Sequence, residues 1–239
     1  MHTETVNIPV ESGESSAYYA CPEGVGPWPG LVVIHEILGL NDNIREIARR
    51  FAAEGYAALA VDLFYGHNRA VCMAQFMGGM LFNSLKHRGI RDLKSSLSYL
   101  AARPEVDAER LGAVGYCLGG GFAIAWACTD ERLKVIAPYY AFNPRPLSAV
   151  QRACPVVGSY PEKDLTAERG RKLKEVLDQY DIPNDIKVYP DARHSFFNDQ
   201  AGSYNAAAAA DSWQRTLAYF QEHLGKPDST DEPQNTSPE

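Results

Sequence analysis

Cys117 carries a thiol, which can act as a nucleophile, and it is flanked at two-residue spacing by Gly115 and Gly119. The apolar run 110–115 predicts a short buried strand, and the run 119–128 predicts an apolar helix. A residue placed this way matches the nucleophile elbow written G-x-S-x-G, with a thiol in place of the usual hydroxyl. A tight strand-to-helix turn needs the glycines because it leaves no room for Cβ atoms. The pattern favours a thiol nucleophile; a packing turn around a small buried cysteine is the alternative.

A thiol nucleophile requires a base, and His194 is the best candidate among the six histidines of the chain. It follows the last predicted strand and precedes the final predicted helix, so it stands at a strand end and after the nucleophile in chain order. His2 is close to the N-terminus, and His87 and His223 fall within or beside polar helices. His67 lies in a predicted loop and stays open as an alternative on position alone.

An acid that orients the histidine is expected between the nucleophile and the base in this chain order. Asp164 follows the predicted strand 155–160 and is the preferred candidate, with Glu162 as the second choice. Asp191 is closer to the base in sequence, but it shares the same loop and is expected to form a turn. The alternative role for Asp164 is to cap the helix that begins near Thr166.

The pair His35-Glu36 follows another buried strand and matches the start of a zinc-binding H-E-x-x-H motif. That motif requires a second histidine at position 39, which is Gly39, so no metal site is expected. In enzymes with a nucleophile elbow, the loop after this strand instead supplies one backbone N–H to the oxyanion, and the residue after the nucleophile supplies the other. The sequence therefore nominates the N–H groups of Ile37 and Leu118.

Apolar, β-rich runs alternate with helical patterns along the chain, which predicts a mostly parallel, doubly wound sheet. The predicted strands are residues 6–10, 17–20, 30–35, 57–62, 111–115, 135–141, 155–160 and 185–189, the first two as an antiparallel pair. The predicted helices are residues 42–54, 73–82, 89–102, 119–128, 166–180 and 203–224. Right-handed crossovers bring the strand carboxyl ends to one edge, where we expect the candidate residues to meet.

Four segments together give the chain a specific resemblance to the dienelactone hydrolases, a cysteine-using branch of the α/β-hydrolases. They are residues 35–40, residues 115–120, Asp164 and residues 189–196, with consistent spacing across the domain. The resemblance implies an α/β-hydrolase fold, with a mostly parallel central sheet and helices on both faces. It also implies a triad of Cys117, His194 and Asp164. Such a triad hydrolyses an ester or lactone through a thioester and needs no metal or organic cofactor.

Glu36 matches a glutamate that contacts the thiol in this family. A carboxylate beside a thiol disfavours a second negative charge and therefore raises the pKa of the thiol. A neutral Cys117 resists oxidation better than a permanently ionised one. The resemblance suggests that substrate displaces Glu36 and lets the thiolate form, which makes Glu36 a gate for the nucleophile.

The residues expected to bind substrate depart from the family pattern. Family members bind a substrate carboxylate with arginines, one of which follows the histidine in a His-Ser-Phe-x-Arg arrangement. This chain has Asn198 at that position, which offers hydrogen bonds without charge. Strand packing is the alternative role for the two tyrosines among the candidates, and the apolar stripe within residues 65–82 either packs in the core or roofs the site. The candidate substrate-binding residues are Arg69, Tyr139, Tyr140, Ser195 and Asn198.

The composition of the chain limits its domain organisation, its partners and its cellular compartment. The length of 239 residues and the 45% hydrophobic content fit one domain over residues 1–224, followed by a tail over residues 225–239 that we expect to be disordered. A net charge of −7 without a basic patch argues against nucleic-acid binding. No apolar run approaches the roughly 20 residues of a membrane span, so no membrane association is expected. Five irregularly spaced cysteines and no visible secretory signal favour free thiols in a reducing cytoplasm.

The sequence therefore predicts a cysteine-dependent hydrolase of a small ester or lactone. A carboxylesterase for neutral or bulkier esters is the second interpretation, which the absent arginine favours. A non-catalytic α/β-hydrolase-like protein that binds a ligand is the third, although such a scaffold has no need of a nucleophile, a base, an acid and an oxyanion loop together. The sequence does not determine the oligomeric state.

Overall fold

The computed structural model describes residues 1–11, 13–65, 78–79 and 84–225. The strands in these ranges are β1 (His2–Val10), β2 (Gly13–Cys21), β3 (Trp28–Ile34), β4 (Ala57–Val61), β5 (Val106–Tyr116), β6 (Leu133–Tyr139), β7 (Val156–Lys163) and β8 (Asn184–Arg193). The longer α-helices are α1 (Asp42–Ala53), α2 (Arg88–Ala101), α3 (Leu118–Ala127), α4 (Thr166–Gln179) and α5 (Ala206–Leu224). In the described ranges, every helix falls short of the length and apolar character that a bilayer span requires. Most of the predicted helix 73–82, the candidates His67 and Arg69, and the predicted tail after residue 225 lie outside the described residues.

The eight strands form one sheet in the order β1-β2-β4-β3-β5-β6-β7-β8. β1 and β2 pair antiparallel, as predicted, and β2 pairs antiparallel with β4. The remaining strands run parallel to one another. The predicted mostly parallel, doubly wound sheet is therefore confirmed.

Side chains of the central strands pack alternately into two cores, one on each face of the sheet. In β3, Leu31 and Val33 join α1 and α5 on one face, whereas Val32 and Ile34 join the opposite core with α2, α3 and α4. Successive side chains of a strand point to opposite faces, so a strand covered by helices on both sides needs apolar residues at every position. This requirement explains why the run 30–35 is continuously apolar before its final histidine.

Local sequence signals define helix α1 between β3 and β4. The side chain of Asn41 accepts a hydrogen bond from the backbone N–H of Ile44, which caps the start of the helix. Gly55 follows the end of the helix with a φ of 89°, a conformation that glycine adopts with little strain. Ile44, Ile47 and Phe51 share one buried face, so the helix packs against the sheet on the same side as α5.

Several strands extend further than the sequence predicts, most clearly β1 and β8. β1 begins at His2 rather than at residue 6, because its polar residues pair with β2 at the sheet edge while one face meets solvent. β8 continues to Arg193 rather than ending near residue 189, although Pro190 lacks a backbone N–H. A register shift lets β7 and β8 keep pairing past this proline. Asp191 therefore lies within β8, and its prediction as a turn residue is wrong.

The order of the parallel strands brings the candidate residues to one edge of the sheet. β3, β5, β6, β7 and β8 are consecutive neighbours, and their carboxyl ends point the same way. The residues that follow these ends are Glu36, Cys117, Tyr140, Asp164 and His194. Open parallel sheets build their sites at this edge, so residues as distant in the chain as Glu36 and His194 are brought together.

Candidate active site

Cys117 occupies a strained turn between β5 and α3. Its φ of 53° and ψ of −112° lie outside the regions that residues with a Cβ atom favour. A Cβ atom at Gly115 would lie 2.2 Å from the carbonyl oxygen of Gly119, and one at Gly119 would lie 2.4 Å from that of Ile34. Glycine is thus the residue that fits on both sides, as a nucleophile elbow requires. The half-buried Cys117 stands at the carboxyl edge of the sheet.

His194 and Asp164 form a short hydrogen bond at the same edge. Nδ1 of His194 lies 2.5 Å from Oδ2 of Asp164. Oγ1 of Thr166 donates to the same carboxylate oxygen at 2.7 Å. Burial raises the pKa of Asp164, but the hydrogen bonds from His194 and Thr166 outweigh it and hold the pKa below its ordinary value. The carboxylate is therefore kept ionised and fixed in orientation toward the imidazole.

The competing acids have other partners. Glu162 forms a surface ion pair with a basic residue of α4, and Asp191 is exposed and accepts from Lys163 at 3.1 Å. Helix α4 begins after Leu165 without a side-chain capping bond, so the alternative role of Asp164 as a helix cap is not observed. Asp164, the acid preferred from the sequence, is the one that contacts the histidine.

Glu36 is buried between the loops that carry the histidine and the thiol. Oγ of Ser195 donates to its Oε1 at 3.0 Å, and the hydroxyl of Tyr140 forms a second hydrogen bond to its carboxylate. Burial raises the pKa of Tyr140, and the charge of Glu36 raises it further, so the tyrosine remains a hydroxyl donor. These donors hold Glu36 where its charge acts on Cys117.

The surroundings raise the pKa of the Cys117 thiol to about 12. Burial is the largest cause, the negative charge of Glu36 is the second, and Asp164 adds in the same direction. The backbone N–H groups of Leu118 and Ile37 donate to the sulfur and act in the opposite direction. The thiol is therefore protonated at neutral pH, and both nominated oxyanion donors are directed at its sulfur atom.

Backbone strain is concentrated around this cluster. Among the described residues other than glycine, positive φ angles occur at Cys117, Tyr140, Asp181 and Ser195. Three of these residues belong to the cluster, with φ values of 53° for Cys117, 38° for Tyr140 and 59° for Ser195. Such angles are costly for residues with a Cβ atom and persist where surrounding contacts enforce them. The hydrogen bonds of Tyr140 and Ser195 to Glu36 are contacts of this kind.

His35, the first residue of the rejected metal motif, anchors the loop that follows β3. Its Nδ1 lies 2.5 Å from the carbonyl oxygen of Glu36, and its Nε2 accepts from the backbone N–H of Leu63 at 3.0 Å. These partners assign the ring proton to Nδ1. Both nitrogens thus bind backbone groups, and the buried ring ties the loop after β3 to the loop after β4.

Two candidate substrate-binding residues have structural partners instead. Tyr139 is fully buried, and its hydroxyl bonds to α5 through the carbonyl oxygen of Ser212 and Oγ1 of Thr216. These contacts match the alternative of strand packing, and a contact of Tyr139 with substrate stays a prediction. Asn198 is buried, and its Oδ1 accepts from the backbone N–H of Gln200 at 3.0 Å, which forms a turn after the histidine.

Sequence reasoning missed how Tyr140 joins the parts of the cluster. Its ring centroid lies 5.0 Å from that of His194, while its hydroxyl bonds to Glu36. No local pattern predicts a contact between residues on different strands, so this role depends on the strand order. The contact of Thr166 with Asp164 is different, because a hydroxyl two residues after an aspartate is a recognisable local pattern.

The parallel sheet, the cysteine elbow after β5, the acid after β7 and the histidine after β8 define the chain as an α/β-hydrolase. This fold class was predicted from the sequence and is confirmed. A Pyrobaculum calidifontis esterase shares the fold at a TM-score of 0.70 and 15% identity, covering 92% of this chain and 85% of that one.

The chain belongs to the dienelactone hydrolase family, whose model matches residues 15–224. A Yersinia pestis protein named "Putative carboxymethylenebutenolidase" is 31% identical over 239 residues, which cover 93% of this chain and 89% of that protein. A Saccharolobus solfataricus protein of the same name is 30% identical over 244 residues, which cover 86% of this chain and 93% of that protein. The resemblance derived from four short segments is therefore confirmed.

Solved structures agree with this assignment. A crystal structure titled as a dienelactone hydrolase-like promiscuous phosphotriesterase from metagenomic libraries superposes with a TM-score of 0.83 at 27% identity, covering 94% of this chain and 99% of that one. A Klebsiella pneumoniae structure titled as a "Putative Dienelactone Hydrolase" gives a TM-score of 0.80 at 28% identity, covering 92% of this chain and 98% of that one. The match extends over nearly the whole length of both proteins.

Proposed function

We propose that this hydrolase cleaves an ester or lactone of a small molecule through a thioester on Cys117. The observation that carries the proposal is the convergence on one sulfur atom of two backbone N–H groups, those of Ile37 and Leu118. Two such donors beside a nucleophile are what a tetrahedral acyl-transfer intermediate requires, because they stabilise its oxyanion. The hydrogen-bonded pair of His194 and Asp164 at the same sheet edge supports the proposal with a base and an orienting acid.

The resting site holds a neutral thiol. With a pKa near 12, Cys117 is almost fully protonated at neutral pH and resists oxidation. Glu36 gates the thiol in this account. Substrate that enters beside the thiol displaces the carboxylate from Ser195 and Tyr140, which removes the nearest negative charge and lowers the pKa of the thiol.

The reaction then proceeds in two halves. His194 takes the thiol proton, Sγ of Cys117 attacks the carbonyl carbon, and the N–H groups of Ile37 and Leu118 hold the oxyanion. The intermediate collapses to a thioester while His194 gives its proton to the departing alkoxide. His194 next takes a proton from water, which attacks the thioester and releases the acid, and the proton returns to the sulfur. Asp164 orients the imidazole through Nδ1, which leaves Nε2 for these transfers.

A lactone is one candidate substrate, since the relatives carry the name "Putative carboxymethylenebutenolidase". A lactone differs from an open ester in that the departing alkoxide stays attached to the acyl group. Free thiols at Cys21, Cys117, Cys128 and Cys154 in the described residues fit a reducing compartment such as the cytoplasm. The chemistry proposed here calls for no cofactor.

Steady-state hydrolysis of 4-nitrophenyl acetate and of a five-membered lactone tests the proposal. We expect Cys117→Ala to lower kcat/KM by at least about 10³-fold, the scale of losing a nucleophile. The matched control is Cys154→Ala, which removes another free cysteine away from the elbow and should stay within about twofold of the parent. Turnover that survives in Cys117→Ala would refute the nucleophile, and a parent protein inactive on both substrates would support the ligand-binding alternative.

A further inference from the structure

Large apolar side chains that are exposed to solvent cluster at one edge of this sheet. The exposed set in the described residues is Met1, Val25, Ile37, Leu38, Tyr65, Phe142, Leu165 and Tyr204. Five of the eight follow the carboxyl ends of β3, β4, β6 and β7, the edge that carries the candidate active site. Single exposed apolar residues are ordinary, but a group of them around one site indicates a binding surface.

Two of these residues stand on the oxyanion loop. The backbone N–H of Gly39 donates to the carbonyl oxygen of Glu36 at 3.2 Å, which closes a tight turn with Ile37 and Leu38 at its corners. Their exposed fractions are 41% for Ile37 and 54% for Leu38. The N–H of Ile37 reaches the sulfur of Cys117, so these apolar side chains begin within one residue of the reacting atoms.

Leu165 and Phe142 stand on the opposite side of the thiol, after β7 and β6. Leu165 is 83% exposed and donates its backbone N–H to the carboxylate of Asp164. It occupies the N-cap position of α4, where Ser, Thr, Asp or Asn would stabilise the helix and leucine does not. Phe142 is 39% exposed and lies two residues after Tyr140. Leucine at this position does not stabilise the helix, so its exposed side chain is available to contact substrate.

In the part of the chain that the structure describes, the charges that act on the thiol are negative. Glu36 and Asp164 are the acidic groups that raise the pKa of the Cys117 thiol. Lys163, two residues before Leu165, is paired with Asp191 at 3.1 Å. A carboxylated substrate would therefore bring a further negative charge toward two acids, at a cost that burial increases.

We infer that Ile37, Leu38, Phe142 and Leu165 form an apolar collar that binds the hydrocarbon part of an uncharged ester and makes the site select against carboxylated substrates. This inference rests on the proposed function, since the collar selects what reaches Cys117. It names a neutral ester with an apolar acyl or alkoxy group as the substrate class. The collar side chains thereby determine substrate specificity, while the backbone N–H of Ile37 takes part in the reaction as an oxyanion donor.

Matched esters test the charge preference. 4-Nitrophenyl hexanoate and the mono-4-nitrophenyl ester of adipic acid have the same acyl length, but the second ends in a carboxylate. We expect kcat/KM for the hexanoate to exceed that for the adipate ester by at least about tenfold, because the collar adds apolar burial and the acids add repulsion. An adipate ester hydrolysed as well as or better than the hexanoate overturns the inference.

Collar variants test the residues. We expect Leu38→Ser and Leu165→Ser each to lower the ratio of hexanoate to acetate kcat/KM by about three- to tenfold, the scale of losing part of an apolar contact. Leu165→Lys should in addition raise kcat/KM for the adipate ester relative to kcat/KM for the hexanoate. The matched control is Val25→Ser, which removes an exposed apolar side chain from the loop before the amino end of β3 and should leave both ratios unchanged.

The outcomes distinguish the inference from the proposed function. If neither the 4-nitrophenyl esters nor the five-membered lactone is hydrolysed and no acyl group appears on Cys117, the proposed function fails. If esters are hydrolysed but the collar variants keep the parental ratios, only the collar is wrong. Variants that change the sedimentation coefficient while keeping the parental ratios would assign this surface to contact between copies of the chain, which also overturns the inference.

Discussion

Oγ of Ser195 lies 3.0 Å from Oε1 of Glu36, a contact between residues 159 positions apart in the chain. Ser195 is the immediate neighbour of His194, so the loop that carries the proposed base also restrains the proposed gate. Tyr140 adds a second link, because it bonds to Glu36 and packs against His194. The gate and the base are therefore coupled, and movement of Glu36 releases contacts on both sides of the thiol.

Removing the serine hydroxyl should loosen the gate. We expect Ser195→Ala to raise the rate of Cys117 alkylation by iodoacetamide by about two- to tenfold, the range given by a net hydrogen bond of ~0.5–1.5 kcal/mol. Peptide mapping of the alkylated protein assigns the rate to Cys117. The control is Ser95→Ala, whose hydroxyl bonds only within α2 at the surface. An unchanged alkylation rate in Ser195→Ala would mean that Tyr140 alone holds Glu36.

Neutralising Glu36 should lower the pKa of the thiol. Burial is the larger cause of the value near 12, so Glu36→Gln should bring the pKa down while leaving it above the ordinary value of 9.0. Because only the thiolate reacts, alkylation in the variant should be faster at every pH in the neutral and mildly alkaline range. Glu46→Gln, at the exposed face of α1, is the control. Equal pH profiles for parent and Glu36→Gln would contradict the gating role.

Asp164 should affect both rate and acid stability. Asp164→Asn is expected to lower kcat/KM by about 10²–10⁴-fold, since the amide supports the wrong imidazole tautomer. The pKa of Asp164 in the folded protein is below its ordinary value of about 3.9. The ionised carboxylate therefore stabilises the fold above that ordinary value, and this contribution is lost as the pH falls through the lowered pKa. Urea unfolding should thus show a parent advantage at neutral pH that shrinks in acid.

The control for this prediction is Asp191→Asn, which changes an exposed aspartate on the neighbouring strand. It should leave kcat/KM within about twofold and should lack the large pH-dependent difference, because exposed ion pairs contribute little. A comparable loss of rate in both variants would show that general surface charge, rather than the contact with His194, supports turnover.

The elbow glycine should be essential for folding. A Cβ atom at position 119 would lie 2.4 Å from the carbonyl oxygen of Ile34 and 2.6 Å from that of His35, both backbone atoms that cannot move aside easily. We expect Gly119→Ala to destabilise the protein by about 1–3 kcal/mol or more, or to prevent soluble expression. Gly202→Ala is the matched control, since its Cβ atom meets nothing within 4 Å. Thermal unfolding of both variants checks the difference.

Much of the site followed from the sequence because its signals are local. The glycines beside Cys117 predict the elbow, and the order of nucleophile, acid and histidine, together with the end of the predicted strand 155–160, leads to Asp164 with Glu162 as second choice. The continuous apolar run of β3 predicted a strand covered on both faces. In each case the chemistry of a few adjacent residues restricts the backbone to one arrangement.

Other features depend on contacts that no local pattern contains. Tyr139 and Tyr140 are adjacent and identical in type, yet one bonds to α5 and the other to Glu36. Both rings pack in the same core, but Tyr140 follows the end of β6 with a positive φ, and that conformation depends on partners from other loops. The extension of β8 past Pro190 likewise depends on a register shift in its neighbour.

Rapid-quench mass spectrometry with 4-nitrophenyl hexanoate is the most direct test of the central claim, that Cys117 carries the acyl group during turnover. The account predicts one acyl group on the peptide that contains Cys117, formed and lost at rates that match steady-state turnover. Turnover without an acyl group on Cys117, or with the acyl group on another residue, would contradict it.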